Sequence, residues 1–463
     1  MKKIVSFLFI LLFIIGIFLF THNTDINASE REVENLRYEG EVGKVRLSWE
    51  LDRTKDIKSI EVLRKLSFMN DYRKIADLAV NENMYESEVD PLVEYDFKIR
   101  LVFKDGTESL GETISVAGKH ERVIMDEVSG RKILIYLPPS YNTSNKRYPV
   151  VYMHDGQELF EKSIASYREW KVDETLDELI RAEKVEEMIV VGIYNSSNRT
   201  EEYVPYIDPW IITELNVDSS GAKEFSGFVV DNIIPFIDTN YRTIPNRENR
   251  AVMGSSFGGL LSLWMGYNYS DTFSMIGAIS PSLWVADRQI IKELSTEAKK
   301  DLKIWIDLGT TEWENHCREA VDVLIDKGYI YGKDLVYYEV NGGRHNGLSW
   351  SERIAYPFIF FRGKEAKEIK SIKTEVQVVS DGTAKGIFNI LNPVVEMDNG
   401  IKYSLYKFAD FSLENEIDGS INDKGFFEFT TNKDLKAMVE YKDYQEKIAI
   451  SYEDIQDKTN NVE

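Results

Sequence analysis

Residues 251–264 read AVMGSSFGGLLSLW. An apolar run, Ala251-Val252-Met253, meets a short glycine and serine stretch and then an apolar segment of helical character. Inside it, Gly254-Ser255-Ser256-Phe257-Gly258 fits G-x-S-x-G, the pattern of a serine held on a tight strand-to-helix turn. Such a turn lifts the hydroxyl above a sheet, and the flanking glycines let the backbones approach without a Cβ clash. The helix that follows places its N-terminal amides and positive dipole end beneath a developing oxyanion. Ser256 is the candidate nucleophile, because it has a glycine two residues before and two after, which Ser255 does not. The competing account is a glycine-rich turn that merely closes a β–α unit.

The same strand-then-helix rhythm extends on both sides. RKILIYLPP (131–139), YPVVYMHDG (148–156), EMIVVGIYN (187–195), FSMIGAISP (273–281), LKIWIDLGT (302–310) and LVYYEVNGG (335–343) are strand candidates. VDETLDELIRAEK (172–184), SGFVVDNIIPFIDTNY (226–241) and CREAVDVLIDKG (317–328) have helical spacing. Buried strands alternating with helices predict a mainly parallel sheet covered on both faces, an α/β class, over residues 119–364.

A serine nucleophile needs a base held by an acid. Only two of the 5 histidines, His316 and His345, follow Ser256. His345 comes straight after a strand and two glycines, on the kind of loop where this class presents reactive groups. His316 lies at a helix start, where a polar surface role is expected. For the acid, Glu312 stands just beyond Gly309-Thr310-Thr311, on the loop after a strand; Asp307 inside that strand and Glu314 remain alternatives. Glu312 has a plainer reading as a helix-capping carboxylate. The expected oxyanion donors are the N–H of Phe257 and that of Gln157 or Gly156, in the loop after YPVVYMH. His154 precedes the serine, so a structural role is expected for it.

The flanks read differently. Residues 30–118 contain only strand patterns, among them VRLSW (45–49), SIEVLRK (59–65), YDFKIRLVF (95–103) and ETISVAG (112–118). From 365 to 463 strands return in TEVQVVS, GIKYSLYKF, GFFEFTT, LKAMVEY and EKIAISY, with turn signals between. Two small all-β sandwiches flanking the α/β block are therefore expected. Met1-Lys2-Lys3 and the apolar run from Ile4 to Phe20 make residues 1–28 a signal peptide or membrane anchor, so a secreted or membrane-anchored, extracytoplasmic protein is expected.

The chain has 463 residues, enough for about three domains at roughly 150 residues each. With 56 basic and 78 acidic side chains the formal charge is −22, a poor match to nucleic acid, whose binding depends on neutralising phosphates. A hydrophobic fraction of 43% excludes a disordered chain. The single cysteine, Cys317, excludes an intramolecular disulfide and multi-cysteine metal sites.

Several stretches together carry a family resemblance: YLPPSYN (136–142), YPVVYMHDGQELF (148–160), EWKVDETLDELI (169–180), NRTEEYVPY (198–206), GSSFGG (254–259), SPSLW (280–284) and DLGTTE with GGRHN. They resemble the esterase D, or enterochelin-esterase-like, group of α/β-hydrolases. The resemblance implies Ser256 as nucleophile, His345 as base and Glu312 as acid. It also implies Arg199, Trp284 and Trp170 near the substrate, where their plainer readings are a surface ion-pair partner and two core aromatics. Residues 30–118 resemble a fibronectin type III module, through Trp49 in an early strand and the YDF strand start.

The expectation is an exported serine esterase without metal or cofactor. Its partner is a small-molecule or polysaccharide-linked ester of siderophore, feruloyl or acetyl-sugar type. Two alternatives stand beside it: an acyltransferase on the same triad, and a non-catalytic surface or carbohydrate-binding protein with a retired hydrolase core.

Overall fold

The computed structural model describes residues 33–41, 44–51, 56–66, 72–89, 94–117, 122–160, 165, 169–312, 316–380 and 387–462. The expected signal or anchor segment, 1–28, and Glu314 lie outside the described residues. The chain divides into two compact units at residues 121/122.

The N-terminal unit consists of two antiparallel sheets. One orders Val33–Glu41, Lys44–Leu51 and Met84–Glu88; the other orders Arg73–Leu78, Ile57–Leu66, Glu94–Phe103 and Glu108–Leu110, with Ile114–Ala117 also on Glu94–Phe103. Exposed and buried side chains alternate along Lys44–Leu51, so Val45, Leu47 and Trp49 share the inner face.

The second unit is built on one eight-stranded sheet: β1 (Val123–Val128), β2 (Arg131–Tyr136), β3 (Val150–His154), β4 (Ile189–Ile193), β5 (Arg250–Ser255), β6 (Met275–Ile279), β7 (Lys303–Gly309) and β8 (Leu335–Val340). The spatial order is β1-β2-β4-β3-β5-β6-β7-β8. Strands β3 to β8 run parallel, while β2 pairs antiparallel with both β1 and β4. Every residue of β3, β4 and β6 is buried, as strands covered on both faces require. The covering helices include α1 (Val172–Arg181), α2 (Arg199–Tyr203), α3 (Phe257–Asn268), α4 (Cys317–Asp326), α5 (Gly347–Ser351) and α6 (Ala355–Arg362). This is an α/β-hydrolase-like core. The helical stretch 222–240 passes through a π-turn, Val229–Ile233, just before Pro235, whose ring and missing N–H disfavour a regular turn there.

The C-terminal strands are β9 (Ile369–Ser380), β10 (Ile387–Met397), β11 (Lys402–Ser404), β12 (Asp410–Leu413), β13 (Gly419–Ile421), β14 (Phe426–Phe429), β15 (Leu435–Tyr441) and β16 (Tyr444–Ile450). They form a sheet β9-β10-β14-β13, with β11 on β10, and a second sheet β12-β15-β16. These strands belong to the same compact unit as the eight-stranded sheet. The reason is that β8 is an edge strand of the eight-stranded sheet. Its Glu339 N–H donates to Ser404 Oγ at 3.0 Å, and its Glu339 carbonyl accepts from Asn392 Nδ2 at 3.1 Å. Backbone groups of an edge strand left open would template pairing with another chain, and this segment occupies them. Tyr406 joins the apolar cluster under the sheet.

Candidate active site

Ser256 sits between β5 and α3 with φ 58° and ψ −124°, a conformation that costs a non-glycine residue about 1–3 kcal/mol. The surroundings enforce it. Ser256 N–H donates to Ile279 O at 3.0 Å, and Ser256 O accepts from Ser282 N–H at 3.1 Å. A Cβ on Gly254 would lie 2.8 Å from Gly258 O and 2.9 Å from the His154 ring, and one on Gly259 would lie 2.9 Å from Ile279 O. His154 therefore forms the floor of the turn. It is buried against Tyr203 and Phe225, and burial pulls its imidazole down to about 4, so it stays neutral.

Above the turn, His345 Nε2 is 2.9 Å from Ser256 Oγ, and His345 Nδ1 is 2.9 Å from Glu312 Oε2. Ser255 is buried, and it is Ser256 that meets the imidazole. The loops after β7 and β8 bring these groups together through glycines. A Cβ on Gly309 would lie 2.3 Å from the Gly343 carbonyl and 2.7 Å from Glu312 Oε1. Thr311 ties the loops further, its Oγ1 donating to Gly343 O at 2.7 Å. Burial pushes the Glu312 carboxyl up, but the His345 hydrogen bond and the Arg353 charge outweigh it and hold the group below the usual carboxylate range. Asp307 points elsewhere, taking Arg353 Nε at 2.8 Å and Trp305 Nε1 at 2.7 Å. His316 lies at the start of α4, 3.8 Å from Glu319.

Ser256 and His345 open onto a cavity of about 260 Å³ lined also by Asp155, Gln157, Glu158, Trp170, Asn195 and Trp350 among others. Gln157 lines it, whereas Gly156 packs against β4, where a Cβ would lie 2.3 Å from the Gly192 carbonyl carbon. Arg199 also lines the cavity and makes a two-pronged pair with Asp155, Nε to Oδ1 and Nη2 to Oδ2, both at 2.7 Å. Trp170 packs on Trp350, and Trp350 stands edge-on to the His345 ring. Trp284 is outside the lining; it packs on Phe257, the residue after Ser256, and on Trp210.

Sequence reasoning missed Asn195, Glu158, Trp350, Ser280 and Arg353. Trp350 had a local signal, five residues beyond His345 on the short helix that follows it. Arg353 had a weaker one, a lone cation entering the apolar run IAYPFIFF, where burial demands acidic partners. Beside the cavity, Glu169, Asp173 and Glu174 bring carboxylate oxygens within 4.8 Å of one another. Burial, then Asp173, pushes the Glu174 carboxyl up to about 7.

The stretch that supplies every one of these groups is also the stretch that known proteins share. Residues 129–353 match the family described as "Putative esterase". The chain is 26% identical over 186 residues to Uncharacterized protein YbbA of Bacillus subtilis, covering 40% of this chain and 70% of that protein. It is 26% identical over 223 residues to an endo-1,4-beta-xylanase/feruloyl esterase of Xylanibacter ruminicola, covering 47% and 27% of the two chains. Against a siderophore enterobactin esterase of Emericella nidulans the identity is 26% over 161 residues, 33% of this chain and 52% of that one.

Proposed function

We propose that this chain is an exported serine esterase that cleaves carboxylic esters through an acyl-enzyme on Ser256. The observation that carries the reading is the unbroken chain Ser256 Oγ–His345–Glu312, 2.9 Å at each link, at the mouth of a cavity. His345 Nε2 takes the hydroxyl proton as Oγ bonds to the ester carbonyl carbon, and Glu312 stabilises the imidazolium. The tetrahedral oxyanion is held by the N–H of Phe257, a first-turn donor of α3 without a helical carbonyl partner, and by that of Gln157. We assign the second donor to Gln157 rather than Gly156 because Gln157 lines the cavity. The imidazolium then protonates the leaving alkoxide, and water, deprotonated by the same nitrogen, releases the acid. Trp284 fixes Phe257, Trp170 backs Trp350 against the imidazole, and Arg199 holds the Asp155 end of the oxyanion loop. The basic and apolar start, Lys2 to Phe20, supports export. The three-strand and five-strand sheets of the N-terminal unit support a fibronectin-like tether.

Labelling with a fluorophosphonate and mapping the modified peptide tests the reading. Modification at Ser256, lost in His345→Ala, is expected; a folded protein that takes no label overturns it in favour of a binding protein.

The lining also bears on the substrate. Arg199 is matched by Asp155, and Glu158 adds a further carboxylate, so the cavity has no positive excess to receive an anion. Uncharged esters are expected to exceed anionic ones of equal size by on the order of tenfold or more in kcat/KM, about 1.4 kcal/mol. Comparing p-nitrophenyl pentanoate with p-nitrophenyl hemisuccinate, whose acyl chains are close in length, checks this, and equal rates would count against it. Gly309→Ala drives a methyl into the Gly343 carbonyl and Glu312 Oε1. A displacement near 1 Å at the acid is expected to lower kcat about 10²-fold while KM changes little.

A further inference from the structure

Arg353 stands between α5 and α6 with 1% of its surface exposed. Its guanidinium reaches four groups from three parts of the chain. Nε donates to Asp307 Oδ1 at 2.8 Å, and Nη2 donates to Ser280 Oγ at 2.5 Å and to Glu312 Oε1 at 3.2 Å. Nη1 donates to Ser349, to Oγ at 3.1 Å and to O at 3.3 Å. Glu312 Oε1 also accepts from Ser280 Oγ at 2.7 Å and from Gly309 N–H at 2.8 Å, which leaves Oε2 to face His345. Ser280 Oγ accepts in turn from Trp350 Nε1 at 3.0 Å, and the Trp350 ring abuts the imidazole.

Asp307 is fully buried, and each of its carboxylate oxygens accepts an N–H, one from Arg353 and one from Trp305. Burial pushes the Asp307 carboxyl up, and the Arg353 charge and the Trp305 hydrogen bond pull the other way without cancelling the push; the two N–H donors are the arrangement that fits the anion. Two buried carboxylates thus share one buried cation, and the cluster carries one unit of negative charge while the imidazole is neutral. Among the described residues, the other titratable groups packed near it add no competing charge. Burial pushes up the Cys317 thiol and the Tyr338 phenol, and Glu339 is paired with Arg318 at 2.6 Å.

We propose that Arg353 is a positioning residue that divides its charge between Glu312 and Asp307, so that the imidazolium formed at His345 during proton transfer neutralises the cluster. The inference rests on the esterase reading of Ser256. Asp307 acts through Arg353: it draws the guanidinium off Glu312, leaving enough negative charge on Oε2 to stabilise the imidazolium. Without Asp307, Arg353 and Glu312 cancel at rest and the cluster turns positive as the proton arrives. Without Arg353, two buried carboxylates repel and Glu312 holds a proton to higher pH.

The two losses therefore act in opposite directions, which a purely structural role would not do. The test is the pH profile of kcat and kcat/KM on p-nitrophenyl acetate for the full chain and for Asp307→Asn, Arg353→Met and Arg353→Lys. It is read beside the downfield Nδ1–H proton resonance of His345. Asp307→Asn is expected to lower kcat about 10- to 100-fold with KM within twofold, and to move the acid limb to lower pH. Arg353→Met moves that limb to higher pH, and Arg353→Lys returns it part-way. If Arg353→Met does not fold, Asp307→Asn and Arg353→Lys carry the same contrast. Profiles and resonances unmoved in both overturn the proposal, as does a loss of kcat without any displacement. An inactive wild type overturns the esterase reading instead; opposite displacements of the resonance then still support the shared-cation arrangement, and identical spectra still refute it.

Discussion

Ser256→Ala is expected to abolish ester turnover, lowering kcat by about 10⁶-fold, while leaving a folded protein. Ser256 Oγ makes one short contact, to His345 at 2.9 Å, and one long one, to Ser282 Oγ at 3.4 Å. Neither supports the turn. What holds the turn is backbone: the Ser256 N–H on Ile279 O, and the close approaches at Gly254 and Gly259. Alanine bears the same positive φ as serine, so the strain is unchanged and the melting temperature is expected to move by only a few degrees. Residual activity should persist above the rate in water, because the oxyanion donors and the cavity remain. Ser255→Ala is the control, expected to keep activity within a few-fold because Ser255 does not meet the imidazole. Turnover on p-nitrophenyl acetate, measured with circular dichroism on the same samples, checks both. Unchanged hydrolysis in Ser256→Ala would place the chemistry elsewhere.

The placing of Ser256 on a strand-to-helix turn was legible because its determinants are local. Two glycines at fixed offsets, a strand before and a helix after are all contained in residues 251–264, and the same glycines make the contacts that force Ser256 into its conformation. His345 was legible by elimination and by its place after a strand and two glycines. Which carboxylate meets His345 was not settled, since Asp307 and Glu312 differ by only five positions. What separates them is the packing of Gly309 against Gly343, across a distance in sequence that no local pattern encodes. The same holds for Ser280 and Arg353, which join Glu312 from 32 and 41 residues away. Period-two patterns announced the strands of both flanks, as Lys44–Leu51 illustrates. They did not announce that the C-terminal strands cover β8, because that depends on which backbone groups the eight-stranded sheet leaves unpaired.

Glu312→Gln is expected to cost about 10⁴-fold in kcat with little change in KM, through the tautomer of His345 rather than through distance. Oε1 of Glu312 receives three donors, from Ser280, Gly309 and Arg353, so that position must remain an oxygen in the amide. The amide nitrogen is then forced to the Oε2 position, 2.9 Å from His345 Nδ1, and presents hydrogens to it. Nδ1 has to accept, and the ring proton moves to Nε2. Nε2 then donates to Ser256 Oγ when catalysis requires it to accept. Stability changes as well. The Glu312 carboxyl is held below its unfolded value, so its contribution is complete above the ordinary carboxylate range and is lost as pH falls through the folded value. In the amide variant that acid-side dependence disappears, and at neutral pH Arg353 keeps only Asp307 as its ionic partner. Thermal melts between pH 3 and pH 7 should therefore converge for the two proteins at low pH and separate at neutral pH, with the wild type higher. Hydrolysis that survives in Glu312→Gln to within tenfold would mean that the imidazole is oriented by some other group.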